Sequence, residues 1–162
     1  LHDALPILFM AYLAQRLFPG MKVYALDSFE GMPATNPEID QHTEGNFNDI
    51  DLDEIYRRRD ELGLSNLEIV KGYFEDTAVN ALNDAEKISL AHIDCDIYSA
   101  IKYSYDLTKP YMVEGGYIVF DDATEASCPG ATEAVEDLLI KRDNLNSEQI
   151  SPHYVFRAFF NK

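Results

Sequence analysis

The chain has 162 residues, 46% of them apolar, a formal charge of −16 and two cysteines. That is one soluble domain's worth of sequence with ample apolar content for a core, and its acidity excludes nucleic-acid phosphates and anionic membrane surfaces as partners, which leaves a small neutral or cationic ligand or a metal ion. Cys95 and Cys128 are too few for a disulfide framework and read as a reducing, cytoplasmic setting, with neither a membrane span nor a signal peptide in view.

The opening LHDALPI resembles the translation of a short sequencing adapter and carries no initiator Met, so residues 1–7 are expected to lie outside the native protein and residues 8–162 to form a single domain. A helix follows in LFMAYLAQRLFPG, with Leu8, Tyr12, Leu13, Leu17 and Phe18 on one stripe and Pro19-Gly20 ending it. KVYALD reads as a short buried strand ending at Asp27. Residues 31–50 mix Pro, Gly, Asn and acids without periodicity, the composition of a long mobile loop that suits a lid.

DLDEIYRRRDELGL is a charged amphipathic helix that Asp51 or Asp53 suits at its start, with Leu52, Ile55, Tyr56 and Leu62 on its apolar side. NLEIVKGYFEDT supplies the next strand and a Gly turn, VNALNDAEK a short helix or turn, and ISLAHIDCD a fully buried strand. SAIKYSYDLTKPYMVEGG predicts a helix ending near Thr108, with Gly115-Gly116 in the connection to the strand YIVFDD. PGATEAVEDLLIKR is a helix with Pro129 near its start, and HYVFRAFF a closing strand. Strands alternating with helices predict an α/β fold with a mostly parallel sheet.

Three strands end in acids: Asp27, Asp94 with Asp96, and Asp121 with Asp122. In doubly wound sheets the ligand sits outside the carboxyl ends of the strands, so these five carboxylates are expected on one rim. There they would raise one another's pKa unless a cation sat among them. Mg²⁺ or Ca²⁺ suits such oxygens, whereas Zn²⁺ prefers the His and Cys ligands that are sparse here. A single strand-end Asp is commonly a turn former or cap; two acid pairs behind two apolar strands are harder to explain that way. Cys95, between two acids, would resist forming a thiolate and reads as a packing residue. His92 reads as a core or sheet-face residue, and His42 and His153 show no pattern.

VYALDSFEGMP, VKGYFEDT, HIDCDIYSA, VEGGYIVFDDA and PGATEAVEDL, in this order, resemble the macrocin O-methyltransferase family, whose members methylate sugar hydroxyls of natural products with S-adenosylmethionine and a metal ion. The interval from Asp94 to Asp121 is also similar to the family's spacing of metal-ligand aspartates. The resemblance implies a Rossmann-like class I methyltransferase fold with a mostly parallel sheet flanked by helices. It implies that Asp27 holds the cofactor's ribose hydroxyls, that Ser28 and Phe29 line that pocket, and that Gly72, Tyr73 and Phe74 pack around the adenine. It further implies Mg²⁺ on Asp94, Asp121 and Asp122, with Asp96 as candidate base and a sugar-containing small molecule as acceptor. Cys95 stands where the family commonly has Gly, and YVFRAFFNK is only loosely like its aromatic, basic C-terminus.

The same fold calls for a first strand and Gly-rich turn ahead of the opening helix, and both are missing here, so residues 8–162 are expected to be an incomplete methyltransferase domain. Unpaired groups at the centre of a sheet cost about 1–3 kcal/mol each, against a domain margin of roughly 5–15 kcal/mol, and the chain alone is expected to be poorly stable and inactive. Two other readings stand beside this one. A metal-dependent glycosyltransferase would explain the Asp-x-Asp of HIDCD but requires neither the second acid pair nor the LDSFEG turn. A non-catalytic metal-binding or oligomerisation domain would bind no cofactor. Acceptor identity stays open, and a homo-oligomer is compatible with the sequence.

Overall fold

The computed structural model describes residues 5–149 and 157–160; residues 1–4 and His153 lie outside them. The chain forms two compact units, residues 1–31 with 47–85, and residues 32–46 with 86–162.

In the first unit, helix α1 (Leu5–Leu17) includes three of the seven residues expected outside the domain. Its buried face is Leu8, Ala11 and Ala14; of the predicted stripe Leu8 is buried and Tyr12 half-buried, but Leu13 is exposed, Leu17 is 63% exposed and Phe18 57%. Leu8 and the small Ala11 pack with Leu64 and Leu67, with Ile7, Tyr12, Val23 and Ile69 around them. Strand β1 (Val23–Asp27) is half-buried along its length and pairs in parallel with β2 (Leu67–Lys71), from Val23 opposite Leu67 to Asp27 opposite Lys71. Between them, α2 (Leu52–Glu61) starts where Asp51 accepts the Glu54 N–H at 3.1 Å, an N-cap that satisfies one of the helix's orphan donors. After β2 comes α3 (Phe74–Ala85), a full helix where a short helix or turn was expected, with Glu75 and Asp76 in the first turn favoured by the helix dipole.

The second unit is a four-stranded ladder in the order β3-β4-β6-β5. Strand β3 (Ile88–Ile93) leads through α4 (Tyr98–Thr108) and a 3₁₀ turn (Lys109–Tyr111) to β4 (Met112–Phe120), parallel to β3. Gly115 and Gly116 lie inside β4, not before it. The register jumps there, Ile88 opposite Met112 but Leu90 opposite Tyr117, so the glycines form a bulge. Gly115 takes φ +80°, and a Cβ on Gly116 would sit 3.0 Å from the backbone oxygens of Ser89 and Val113. β3 was expected to be fully buried; instead Ser89 is exposed and Leu90 is 52% exposed, since β3 ends its ladder among the described strands.

Helix α5 (Pro129–Val135) continues into a π-helical turn (Glu136–Arg142). Then β5 (Ser147–Gln149), which the sequence pattern did not predict, and β6 (Arg157–Phe160) add antiparallel strands beyond β4. The unit's core is Ile93, Ile101, Tyr105, Ile118, Phe120, Val135 and Leu139 with their neighbours. Tyr105 meets Phe120 edge-on at 6.1 Å and donates its buried hydroxyl to Asp143 at 2.7 Å, so this polar tip has the partner it needs.

Candidate active site

In the first unit the register of β1 and β2 brings six predicted residues to one rim. The Gly72 N–H donates to the Asp27 carbonyl at 2.9 Å, which places Gly72, Tyr73 and Phe74 beside Asp27, Ser28 and Phe29. The Asp27 carboxylate accepts the Phe29 N–H at 2.6 Å, and Ser28 Oγ accepts the Glu30 N–H at 3.1 Å, so both side chains shape their own turn. Burial pushes the Asp27 carboxyl up, and the Phe29 N–H opposes that shift. Phe29 is held at φ +56°, a left-handed conformation rare outside glycine, and Gly72 at φ +140°. Tyr73 is exposed and Phe74 opens α3.

In the second unit the acids after β3 and β4 converge for a backbone reason. The Asp121 N–H donates to the Ile93 carbonyl at 3.0 Å, carrying the parallel ladder one step beyond the strands and setting Asp121 next to Asp94. Carboxylate oxygens of Asp94, Asp121 and Asp122 lie within 4.8 Å of one another. Asp94 is exposed and the other two half-buried, so one side of the cluster faces solvent. Three carboxylates on an open rim fit a hard divalent cation such as Mg²⁺ with positions left for other oxygens, and its charge would offset their mutual repulsion.

Asp96 adjoins this cluster by a hydrogen bond shared with Asp122. Its pKa is pushed up to about 7, chiefly by burial, then by that hydrogen bond and the charges of Asp94 and Asp122, while the Cys128 thiol pulls it back. Asp96 and Asp122 stand at φ +54° and +51°. Such backbone costs of order 1–3 kcal/mol persist where the surroundings over-determine them, often at functional sites.

Sequence reasoning missed three residues here. Cys128, just before α5, points its thiol at Asp96 Oδ1 at 3.5 Å and lies 3.4 Å from His42 Nε2. Burial pushes the Cys128 thiol up to about 12. Asp40 is the third, a carboxylate only 7% exposed. It accepts the Asn36 N–H and, across 58 positions, the Tyr98 N–H at the start of α4, both at 3.0 Å. Within the stretch 31–50 expected to be mobile, residues 32–46 are therefore anchored, their ends closed by bonds between Met32 and Asn46 and between Gly45 and Met32. No spacing rule in the sequence connects these partners. Cys95 is a packing residue as expected, half-buried against the core with its thiol 3.7 Å from Ser104 Oγ.

The model of the macrocin-O-methyltransferase (TylF) family matches residues 4–150. The chain belongs to this family. Among curated proteins it is similar to an 8-demethyl-8-(2,3-dimethoxy-alpha-L-rhamnosyl)-tetracenomycin-C 4′-O-methyltransferase of Streptomyces olivaceus, 24% identical over 119 residues, which are 68% of this chain and 45% of that protein. Among solved structures it resembles the calicheamicin methyltransferase CalS11 with TM-score 0.81 and 19% identity, over 94% of this chain and 66% of the other. The O-methyltransferase TomG of Streptomyces achromogenes, solved in complex with SAM, gives TM-score 0.56 and 14% identity over 97% and 80% of the two chains. This member of the macrocin O-methyltransferase family thus spans less than half the length of that curated relative, and its fold is that of the O-methyltransferases. No helix among the described residues is long and apolar enough to cross a membrane.

Proposed function

We propose that this protein is an S-adenosylmethionine- and Mg²⁺-dependent O-methyltransferase acting on a sugar hydroxyl of a glycosylated natural product. The observation that carries this reading is the convergence of Asp94, Asp121 and Asp122, with Asp96 hydrogen-bonded to Asp122, after two parallel strands of a family member. The 4′-O-methyltransferase name of the curated relative and the SAM complex of TomG support the sugar acceptor and the cofactor.

Asp94, Asp121 and Asp122 hold the ion in this reading. Asp27, Ser28, Phe29, Gly72, Tyr73 and Phe74, gathered at the rim of β1 and β2, hold the nucleoside end of the cofactor. When bound, Mg²⁺ supplies the positive charge that makes a hydroxyl more acidic, and S-adenosylmethionine supplies the methyl group. The chain's own contribution is to orient the acceptor and take its proton. Asp96, beside the ion-holding carboxylates, accepts that proton on its own carboxylate, a general-base role worth about 10²–10⁴ in rate. The two free cysteines go with a reducing cytoplasm.

The test is methyl transfer from labelled S-adenosylmethionine to a panel of glycosides by the intact protein, with and without Mg²⁺. Asp122→Ala is expected to abolish the Mg²⁺-dependent part. Intact Mg²⁺-dependent transfer in that variant would overturn the ligand assignment, and binding of nucleotide sugars instead of S-adenosylmethionine would shift the reading to glycosyl transfer.

A further inference from the structure

Three side chains from separate parts of the second unit meet beside the acid cluster: His42 from the anchored segment, Asp96 after β3 and Cys128 before α5. We propose that they form a second cation site, which takes a borderline-soft divalent ion such as Zn²⁺ through one imidazole nitrogen, one carboxylate oxygen and one thiolate, with a fourth position open.

The distances fit that ion. Zinc–sulfur bonds of about 2.3 Å and zinc–nitrogen or zinc–oxygen bonds of about 2.0–2.2 Å, at a tetrahedral angle, set sulfur roughly 3.5–3.6 Å from each partner atom. The observed separations are 3.4 Å from Cys128 Sγ to His42 Nε2 and 3.5 Å to Asp96 Oδ1. All three ligand atoms lie within 4.8 Å of one another. The donor set discriminates as well: nitrogen and sulfur suit zinc, cobalt and copper, whereas the all-oxygen trio of Asp94, Asp121 and Asp122 suits magnesium.

The framework is built to hold the trio. Asp40, two residues before His42, fixes that segment to the start of α4, and Cys128 is 3% exposed with its N–H bonded to the Glu125 carbonyl at 3.1 Å. His42 and Asp96 are half-buried, so an ion reaches the site without opening the core around Cys128. Binding releases the thiol proton to solvent as the sulfur–metal bond forms, so affinity rises with pH. If Asp96 is the base of the proposed reaction, as read above, occupancy withdraws it and the ion inhibits methyl transfer.

Cobalt(II) titration of the intact protein in the presence of saturating Mg²⁺ tests the site without reference to activity. The expected result is a thiolate-to-cobalt charge-transfer absorption that Mg²⁺ does not displace and one equivalent of Zn²⁺ does. Cys128→Ser is expected to remove the band, and His42→Gln to weaken Zn²⁺ binding by more than the roughly 10- to 100-fold that loss of an outer-shell partner costs. Cys95→Ser is the control and should leave the band intact. Absence of the band in the parent protein, its survival in Cys128→Ser, its loss in Cys95→Ser, or its displacement by Mg²⁺ would each overturn the proposal. A methyltransferase that works normally but gives no band would sink the second site alone; a band without methyl transfer would leave the site and sink the catalytic reading.

Discussion

Gly130, the second residue of α5, is a position where a single methyl group would meet a buried carboxylate. In a helix, alanine is favoured over glycine by about 0.8–1.0 kcal/mol, so propensity alone predicts that Gly130→Ala stabilises. The packing predicts the opposite. A Cβ there would lie 1.9 Å from Asp40 Oδ1 and 3.0 Å from the Tyr98 nitrogen. No small adjustment absorbs 1.9 Å, so the Asp40 carboxylate must leave and give up its two backbone N–H partners, Asn36 and Tyr98. Hydrogen bonds to a charged group contribute about 1.5–3 kcal/mol each, and subtracting the propensity gain leaves a net loss of about 2–5 kcal/mol. That is a large share of a typical domain's margin of about 5–15 kcal/mol. Urea unfolding followed by far-ultraviolet circular dichroism measures it. In an Asp40→Ala background the displaced carboxylate and its two bonds are already gone, so the two substitutions should couple by about the 3–6 kcal/mol assigned to those bonds. A Gly130→Ala protein as stable as the parent, or strict additivity in the double variant, would refute the reasoning.

Two further stability experiments follow from the same structure. Arg142, then Lys109 and Tyr105, hold the Asp143 carboxyl far below the usual range against the opposing effect of its burial. A depressed folded-state pKa means stabilisation present above the unfolded value of about 3.9 and lost as pH falls toward the folded one. Asp143→Asn is therefore expected to cost about 1–3 kcal/mol at neutral pH, with the gap to the parent protein closing in strongly acidic buffer; a gap that widens on acidification would contradict this. Gly72→Ala meets both φ +140° and a Cβ 2.7 Å from Thr77 Cγ2, and should cost about 1–3 kcal/mol. Adding Thr77→Ser removes that methyl and should restore only part, since the backbone cost remains; complete restoration would mean the contact alone mattered.

The parts of the fold that were legible are those where local pattern and tertiary role coincide. VYALD and LEIVK form the parallel pair β1 and β2 with Asp27 at the expected end, and Asp51 caps α2. The helix predicted to end near Thr108 does so. The misplacements have local causes. On α1 the large residues suggested one stripe, but the interior took Leu8 with the small Ala11 and Ala14 and left Leu17 exposed. Gly115-Gly116 resembled a turn because a bulge in a strand needs the same backbone freedom. β5, three residues of Ser, Glu and Gln, carries no apolar signal and exists because β6 offers it a hydrogen-bonding edge.

For the candidate site the division is sharper. The residue types, the strand ends on which they stand and the chemistry they can perform were written in the chain: acids behind apolar strands read as a cation site because like charges need a counter-ion there, whatever the rest of the fold does. Tertiary structure alone decided which carboxylates share a cluster and what surrounds Asp96. One backbone bond from Asp121 to Ile93 sets the first, and the contacts of Cys128 with Asp96 and His42, spanning 32 and 86 positions, set the second. Periodicity and capping report interactions within a few residues of one another; a histidine, a cysteine and an aspartate brought together across the chain leave no such trace, because their meeting depends on how loops close and helices pack.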